Sequence, residues 1–569
     1  MTKIKNLLLL ALLLSPVFSF AQNKSYIQSL KEPNAWVDSV FRKLSRKQRI
    51  AQMFMVRAHT DKGQRFEDSI ANVIKKEHIG GLVFFQGGPG RQAALTNRYQ
   101  SVAKVPLIIS MDAEWGLGMR LDSTISYPYQ MTLGAIQDNK LIYQMGKQVA
   151  ADFKRLGMHV NFAPDADINN NPKNPVIGYR SFGDNKYKVT EKVGAYMKGM
   201  QDNDILVSLK HFPGHGDTDV DSHHDLPQLP FSRARLDSLE MYPFRELIKQ
   251  DASGVMVAHM NIPALDTTRN LPSTLSKPII TGVLKNELGF KGLIFTDAME
   301  MKGVVKFFPN GEADVMAVIA GNDILELSGD TKRAVKLIRK AIRHKRISWD
   351  QVNASVKKIL AAKYWVGLNN VQPLSTENVV EDLHRSDAMA LNQALADAAV
   401  TVLNGDSLLK NIDFSKKTAL VSFGTKEQTT FQQELKPNFG NSTNFVLAKN
   451  ATNAEIASLM QELKNYPQII LGVHDTRKRP GATLDFSNEV KQAVAQVAAM
   501  NSIVSMFTNP YVLAGLPGIE KAKTLLMNYQ EGAESEKAAA KVISGQIKAN
   551  GKLPVSVNAQ YKNGDGVTL

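Results

Sequence analysis

Ile205-Leu206-Val207-Ser208-Leu209-Lys210-His211 is the stretch that decides the fold. Five β-prone, mostly apolar residues run straight into a cation and an imidazole. The run is too short for a helix and does not alternate, so it predicts a strand covered on both faces, as in a parallel sheet. Seven similar runs accompany it: Met53–Val56, Leu82–Phe85, Leu107–Met111, His159–Phe162, Val255–Ala258, Leu293–Phe295 and Ile324–Leu327. Longer helical stretches separate them. Eight β-then-α units in about 300 residues is the count of a (β/α)8 barrel. Polar groups stand where several runs end: Asp112 after Met111, Lys210 and His211 after Leu209, His259 after Ala258, and Asp297 just beyond Phe295. Barrels of this kind carry their chemistry at the carboxyl ends of the strands, which makes these positions candidate site residues.

A Lys-rich helical stretch, Thr331–Val366, follows the eighth run, and Gly367-Leu368-Asn369-Asn370 with Pro373 then punctuates the chain. Strand-like runs return at Val400–Leu403, Ala419–Phe423, Ile469–Val473, Ile503–Phe507 and Thr524–Met527, between Ala-rich helical stretches. The reading is an α/β chain with an N-terminal barrel over residues 22–366, a linker over 367–384 and a second α/β domain over 385–569. Its sheet is expected to be open, with five or six strands.

Composition excludes several classes. The 569 residues are 43% hydrophobic and 22% charged, unlike a disordered or collagen-like chain. Zero cysteine excludes a disulfide scaffold, a thiolate zinc site, an iron–sulfur cluster and a cysteine nucleophile. The net charge of +15 is spread along the chain, without basic blocks or interleaved aromatics, so nucleic acid is not an expected partner. Lys3 and Lys5 precede the apolar run Leu7–Leu14, and Ser19-Phe20-Ala21 offers small residues for cleavage. Residues 1–21 are therefore expected to be a secretory signal peptide, with no cysteine behind them to carry a lipid anchor. No later run is long enough to span a membrane, and the expected location is periplasmic or extracellular.

The densest functional signal is Lys210-His211-Phe212-Pro213-Gly214-His215-Gly216-Asp217-Thr218, followed by Asp221-Ser222-His223-His224. Four of the chain's 11 histidines fall in residues 211–224, where an even spread places about 0.3. Pro213, Gly214 and Gly216 make this a loop beyond its strand, and loops on rigid scaffolds carry binding and catalytic groups. Three readings are open. Histidine and aspartate are common metal ligands, although the first strand lacks a His-x-His pair. The histidines can equally serve as hydrogen-bonding groups that hold the loop. The favoured reading is an acid/base dyad of Asp221 and His223, whose side chains point the same way if the backbone between them is extended. The carboxylate then accepts the imidazole N–H and stabilises the protonated ring, which can donate to a leaving oxygen.

Lys210–Thr218 with Asp221-Ser222-His223 resembles the signature of glycoside hydrolase family 3, and within it the NagZ-type exo-β-N-acetylglucosaminidases. Four more segments are similar in order: Asp112-Ala113-Glu114 with Arg120, Asn161-Phe162-Ala163-Pro164, Arg180-Ser181-Phe182-Gly183 and Phe295-Thr296-Asp297-Ala298-Met299. The likeness covers most of residues 30–365 and implies a barrel, followed in many members by an α/β sandwich domain. It further implies that Asp297 is the nucleophile and that His223, paired with Asp221, is the general acid and then the general base. Asp112, Arg120, Arg180, Lys210 and His211 are implied as sugar-binding residues, and no metal or organic cofactor is implied.

Two positions depart from the family pattern. Trp115 stands where glycine is more usual, so it could wall the site or stack on a sugar. Ala298 stands where some relatives carry a second acid. The expected activity is that of an exported, retaining β-N-acetylglucosaminidase acting on cell-wall muropeptides or chitin-type fragments. The alternatives are a β-glucosidase or β-xylosidase, a phosphorylase of the same family, or a non-catalytic wall-binding protein. The sequence leaves the oligomeric state open.

Overall fold

The computed structural model describes residues 24–568 apart from residues 223, 310 and 406, so the expected signal peptide and His223 lie outside the described residues. Every expected barrel run forms a strand, with ends shifted by at most three residues. The strands are β1 (Phe54–Ala58), β2 (Gly81–Phe84), β3 (Ile108–Met111), β4 (Val160–Asn161), β5 (Leu206–Val207), β6 (Leu209–Phe212), β7 (Gly254–Val257), β8 (Leu293–Thr296) and β9 (Leu325–Glu326). The fifth run is thus two pieces, β5 and β6, broken at Ser208. Parallel pairing gives the order β5-β4-β3-β2-β1-β9 and a second group β6-β7-β8. A bridge between Phe295 and Ile324 joins β8 to β9, and β5 leads directly into β6, which closes the ring. The architecture is a (β/α)8 barrel.

Lys210 and His211 do not follow their strand, as the sequence reading has it, but lie within β6. The break at Ser208 re-aims the chain. Beyond it Lys210 bridges Asp165 in parallel, and its carbonyl accepts the Ala166 N–H at 2.6 Å. The outer helices bury one face each. In Thr331–Arg343 the buried residues include Ala334, Val335, Ile338, Ala341 and Ile342, a stripe at helical spacing, and the Asp330 carboxylate caps the first turn by accepting from the Arg333 N–H.

The second domain is built on a six-stranded sheet of β10 (Thr401–Asn404), β11 (Thr418–Phe423), β12 (Ser442–Leu447), β13 (Gln468–His474), β14 (Ser502–Phe507) and β15 (Thr524–Met527). The order is β10-β15-β14-β13-β11-β12, parallel except for the antiparallel β10–β15 pair. β12 is the strand the sequence reading does not name. It is an edge strand in which every residue but Leu447 is half-buried or exposed, so it needs no continuous apolar run.

The two domains meet beside the barrel mouth. The Gln530 Oε1 accepts from the Tyr129 N–H and the Thr132 hydroxyl, each at 2.7 Å, and the Tyr129 hydroxyl donates to the Lys478 carbonyl at 3.0 Å. Asp184 accepts from the Ser556 N–H and the Asn563 amide, both at 2.6 Å, which ties the end of the chain to the barrel. Among the described residues no helix is long and apolar enough to cross a membrane.

Candidate active site

The carboxyl ends of the barrel strands open into a cleft of about 1310 Å³. Small-molecule sites hold roughly 300–1,000 Å³, so there is room for more than one sugar ring. Asp112, Arg120, Arg180, Lys210, His211, Asp221 and Asp297 all line it. The structure thus brings together these nominated residues, whereas His259 does not line the cleft.

The floor is an ion cluster. Lys210 is 2% exposed, and its Nζ lies 2.9 Å from Asp112 Oδ1 and 2.8 Å from Glu114 Oε1. Arg120 reaches the other Asp112 oxygen at 2.6 Å. Arg180 holds Glu114 through Nη2 at 2.7 Å and Nε at 3.0 Å. Glu114 belongs to the quoted motif but carries no role in the sequence reading; here it positions both Lys210 and Arg180. Burial works to raise the Asp112 carboxyl, but Lys210 and Arg120 outweigh it and hold the group well below the ordinary carboxylate range. Glu114 is likewise lowered, with burial overcome by Arg180 and Lys210. Burial alone lowers Lys210, yet its two carboxylates raise it overall, so the floor carries fixed full charges. Asn161 on β4 locks this segment, since its side chain accepts the Ala113 N–H at 3.1 Å and donates to the Ala113 carbonyl at 3.2 Å.

Beside the cluster, His211 is oriented by Asp167, which the sequence reading misses. The Asp167 carboxylate lies 2.7 Å from His211 Nδ1 and accepts the His211 and His215 backbone N–H groups. His215 contacts the Thr218 hydroxyl at 2.8 Å and the Ser222 hydroxyl at 3.3 Å, and burial lowers its pKa to about 4, so it braces the loop as a neutral ring. Close approach explains the two glycines here. A Cβ on Gly216 would stand 1.7 Å from the Ile168 carbonyl oxygen, and Gly214 has φ +137°. Asp165, Asp167 and His211 also form a carboxylate–imidazole group compact enough to surround a cation, although His211 Nδ1 and Asp167 Oδ2 stand at hydrogen-bond distance.

Asp297 follows β8 and is held from three sides. Its N–H donates to the Val257 carbonyl at 3.0 Å, and the Ala298 N–H donates to its own Oδ1 at 2.7 Å. The Met299 N–H donates to the Glu326 carbonyl at 2.9 Å. His259 supports this turn, donating through Nε2 to the Ala298 carbonyl at 3.1 Å. Backbone bonds of this kind fix a side chain's position on a rigid element.

Asp221 reaches the cleft. The Asp221 carbonyl accepts the His224 N–H at 2.9 Å and the Asp225 N–H at 3.1 Å, which makes a turn. Aspartate favours the first position of such turns. His223, the expected partner of Asp221, lies outside the described residues.

Trp115, Tyr129 and Tyr179 make an aromatic wall, with ring centroids 4.8–6.0 Å apart. Lys478, Arg479, Pro480, Gly481 and Ala482, from the second domain, continue that wall. No local pattern in the sequence announces this contribution.

The pattern described as "Glycosyl hydrolase family 3 N terminal domain" matches residues 45–362. The chain is 28% identical to beta-hexosaminidase A of Pseudoalteromonas piscicida, over 86% of this chain and 91% of that protein. It is 30% identical to beta-hexosaminidase LpqI of Mycobacterium tuberculosis, over 56% of this chain and 83% of that one. A solved glycoside hydrolase family 3 beta-N-acetylglucosaminidase from Paenibacillus sp. str. FPU-7 superposes with a TM-score of 0.76 at 31% identity, covering 90% of this chain and 99% of that chain. With this fold, and with strand-end carboxylates gathered in one cleft, the chain belongs to glycosyl hydrolase family 3.

Proposed function

We propose that the chain is an exported, retaining exo-β-N-acetylglucosaminidase that removes terminal β-linked N-acetylglucosamine from cell-wall muropeptides or chitin-type fragments. The observation that carries this reading is the convergence of Asp297, Asp221 and the Asp112–Lys210–Glu114–Arg180 cluster on one cleft. The similarity to beta-hexosaminidases and to a beta-N-acetylglucosaminidase supports the amino-sugar preference.

In this reading Asp112 and Arg120, with Lys210, Arg180 and His211, grip the terminal sugar through its hydroxyls and N-acetyl group. An Asp297 carboxylate oxygen attacks the anomeric carbon as the bond to the aglycone oxygen breaks. His223, supported by Asp221, gives that oxygen its proton. The glycosyl–Asp297 ester then yields to water as His223 takes a proton back, and two inversions give retention. Residues 1–21 act as the export signal, and residues 385–569 add a wall to the aglycone side of the cleft. No metal or organic cofactor takes part.

Release of 4-nitrophenol from the β-N-acetylglucosaminide and from the matching β-glucoside, with and without phosphate, tests the proposal. Preference for the N-acetyl sugar in water supports it. Preference for glucoside favours the glucosidase alternative, stimulation by phosphate favours a phosphorylase, and silence on both favours a wall-binding protein.

A further inference from the structure

Glu326 interrupts the apolar run Ile324-Leu325-Glu326-Leu327 and lies at the carboxyl end of β9. Strands β1 and β8 flank it: Glu326 pairs with Met55, and its N–H donates to the Thr296 hydroxyl at 3.0 Å. Its backbone is therefore stitched to both sides of the Asp297 turn. The side chain is 3% exposed and lines the catalytic cleft. Its Oε1 is shut off from solvent and hydrogen-bonds to nothing, and among the described residues the carboxyl forms no ion pair.

A buried carboxyl without a partner is costly to maintain unless something completes it. Among the described residues none hydrogen-bonds to its Oε1, and the open side is the cleft. We propose that Glu326 is a substrate-contacting, specificity-determining residue, whose carboxyl shares hydrogen bonds with one hydroxyl of the sugar that Asp112 and Lys210 also grip. The inference rests on the amino-sugar glycosidase reading above and adds a residue to it.

The charges around Glu326 suit this role. Asp112 stands beyond β3, Asp297 and Glu300 beyond β8, Lys210 on β6, and Arg57 on β1 is taken up by Glu300. Burial first, then Asp112 and Asp297, push the Glu326 carboxyl well above its ordinary value, and Lys210 opposes them only in part. That shift favours the protonated form, a carboxylic acid. It offers one O–H donor and one carbonyl acceptor, the complement of a hydroxyl that both donates and accepts. Asp112 only accepts and Lys210 only donates, so the dual contact falls to Glu326.

The test uses the full chain, the variants Glu326→Leu and Glu326→Gln, and 4-nitrophenyl β-N-acetylglucosaminides lacking the 3-, 4- or 6-hydroxyl. Wild-type turnover of the parent glycoside tests the glycosidase reading alone, and silence there overturns both readings. Given wild-type turnover, Glu326→Leu is expected to lower kcat/KM roughly tenfold, the size of one lost hydrogen bond. Removing one particular hydroxyl should cost the wild type more than it costs Glu326→Leu, so that the two losses do not add. Glu326→Gln keeps a donor and an acceptor, so it should retain more kcat/KM than the leucine variant. It should also extend the alkaline limb of the kcat/KM profile, because no second anion forms beside Asp297 and Asp112. Additive losses at all three hydroxyls, with an unchanged alkaline limb in Glu326→Gln, overturn the proposal. Melting temperatures of both variants separate a loss of fold from a loss of contact.

Discussion

The Nδ1 of His211 lies 2.7 Å from the Oδ2 of Asp167, a residue 44 positions earlier in the chain. The same carboxylate accepts the backbone N–H of His211, within β6, and that of His215, on the loop that follows. One buried aspartate thus fixes both the ring orientation of His211 and the start of the loop that leads to Asp221.

Asp167→Asn should disturb both functions. An amide presents one acceptor oxygen to three N–H donors, so a loss of about 1–3 kcal/mol is expected, with a fall in kcat/KM as His211 loses its fixed orientation. The sign with pH is definite. Burial tends to raise Asp167, but His211 and His215 lower it overall. Its stabilisation is complete above the unfolded carboxylate pKa, about 4, and is lost as pH falls through the lower folded value. Acid unfolding followed by circular dichroism should show a shallower dependence below about pH 4 in the variant.

Lys210→Met tests the floor of the cleft. It leaves Asp112 and Glu114 buried with one cation fewer, and removing one partner of a buried ion pair costs about 3–5 kcal/mol. A thermal melt at neutral pH should record a drop of that order, together with loss of turnover. A melt unchanged from wild type would show that water or rearrangement replaces the ammonium.

Asp297→Asn should abolish turnover with little change in melting temperature, since the residue's N–H bond to Val257 does not depend on the carboxylate. Retention of more than about a hundredth of the wild-type rate would contradict a nucleophilic role.

His223→Ala should slow substrates with poor leaving groups far more than activated aryl glycosides, because only the former need a proton. Equal losses on both would remove His223 from the acid role.

Arg479→Ala probes the wall supplied by the second domain. Arg479 lines the cleft near Tyr179, beyond the buried floor. The variant should raise KM for disaccharide and longer substrates several-fold while leaving 4-nitrophenyl glycosides within about twofold, as loss of a rim contact should. The two substrate classes, measured side by side, check this.

The barrel and its site were legible in the sequence to different depths. Strands buried on both faces must be continuously apolar, so each run from β1 to β9 announced itself, and Asp112 and Asp297 stood out as charges at the ends of such runs. β12 gave no such signal, because an edge strand leaves its side chains half in solvent. The bonds from the His224 and Asp225 N–H groups to the Asp221 carbonyl were hidden as well, since local residue types do not fix a loop's backbone bonds.

The sequence by itself determined the β/α rhythm, the strand ends and the residue types available for chemistry, because burial imposes periodicity on neighbouring residues. Tertiary structure alone decided which charges neutralise one another. Glu114 answers Lys210 and Arg180, Asp167 orients His211, the Glu326 Oε1 is left without a hydrogen-bond partner among the described residues, and Lys478 to Ala482 arrive from another domain. Such pairings join strand ends far apart in the chain that meet only when the barrel closes. Coulombic and hydrogen-bond energies depend on that closing distance and on exclusion of water, and neither quantity is written in local sequence.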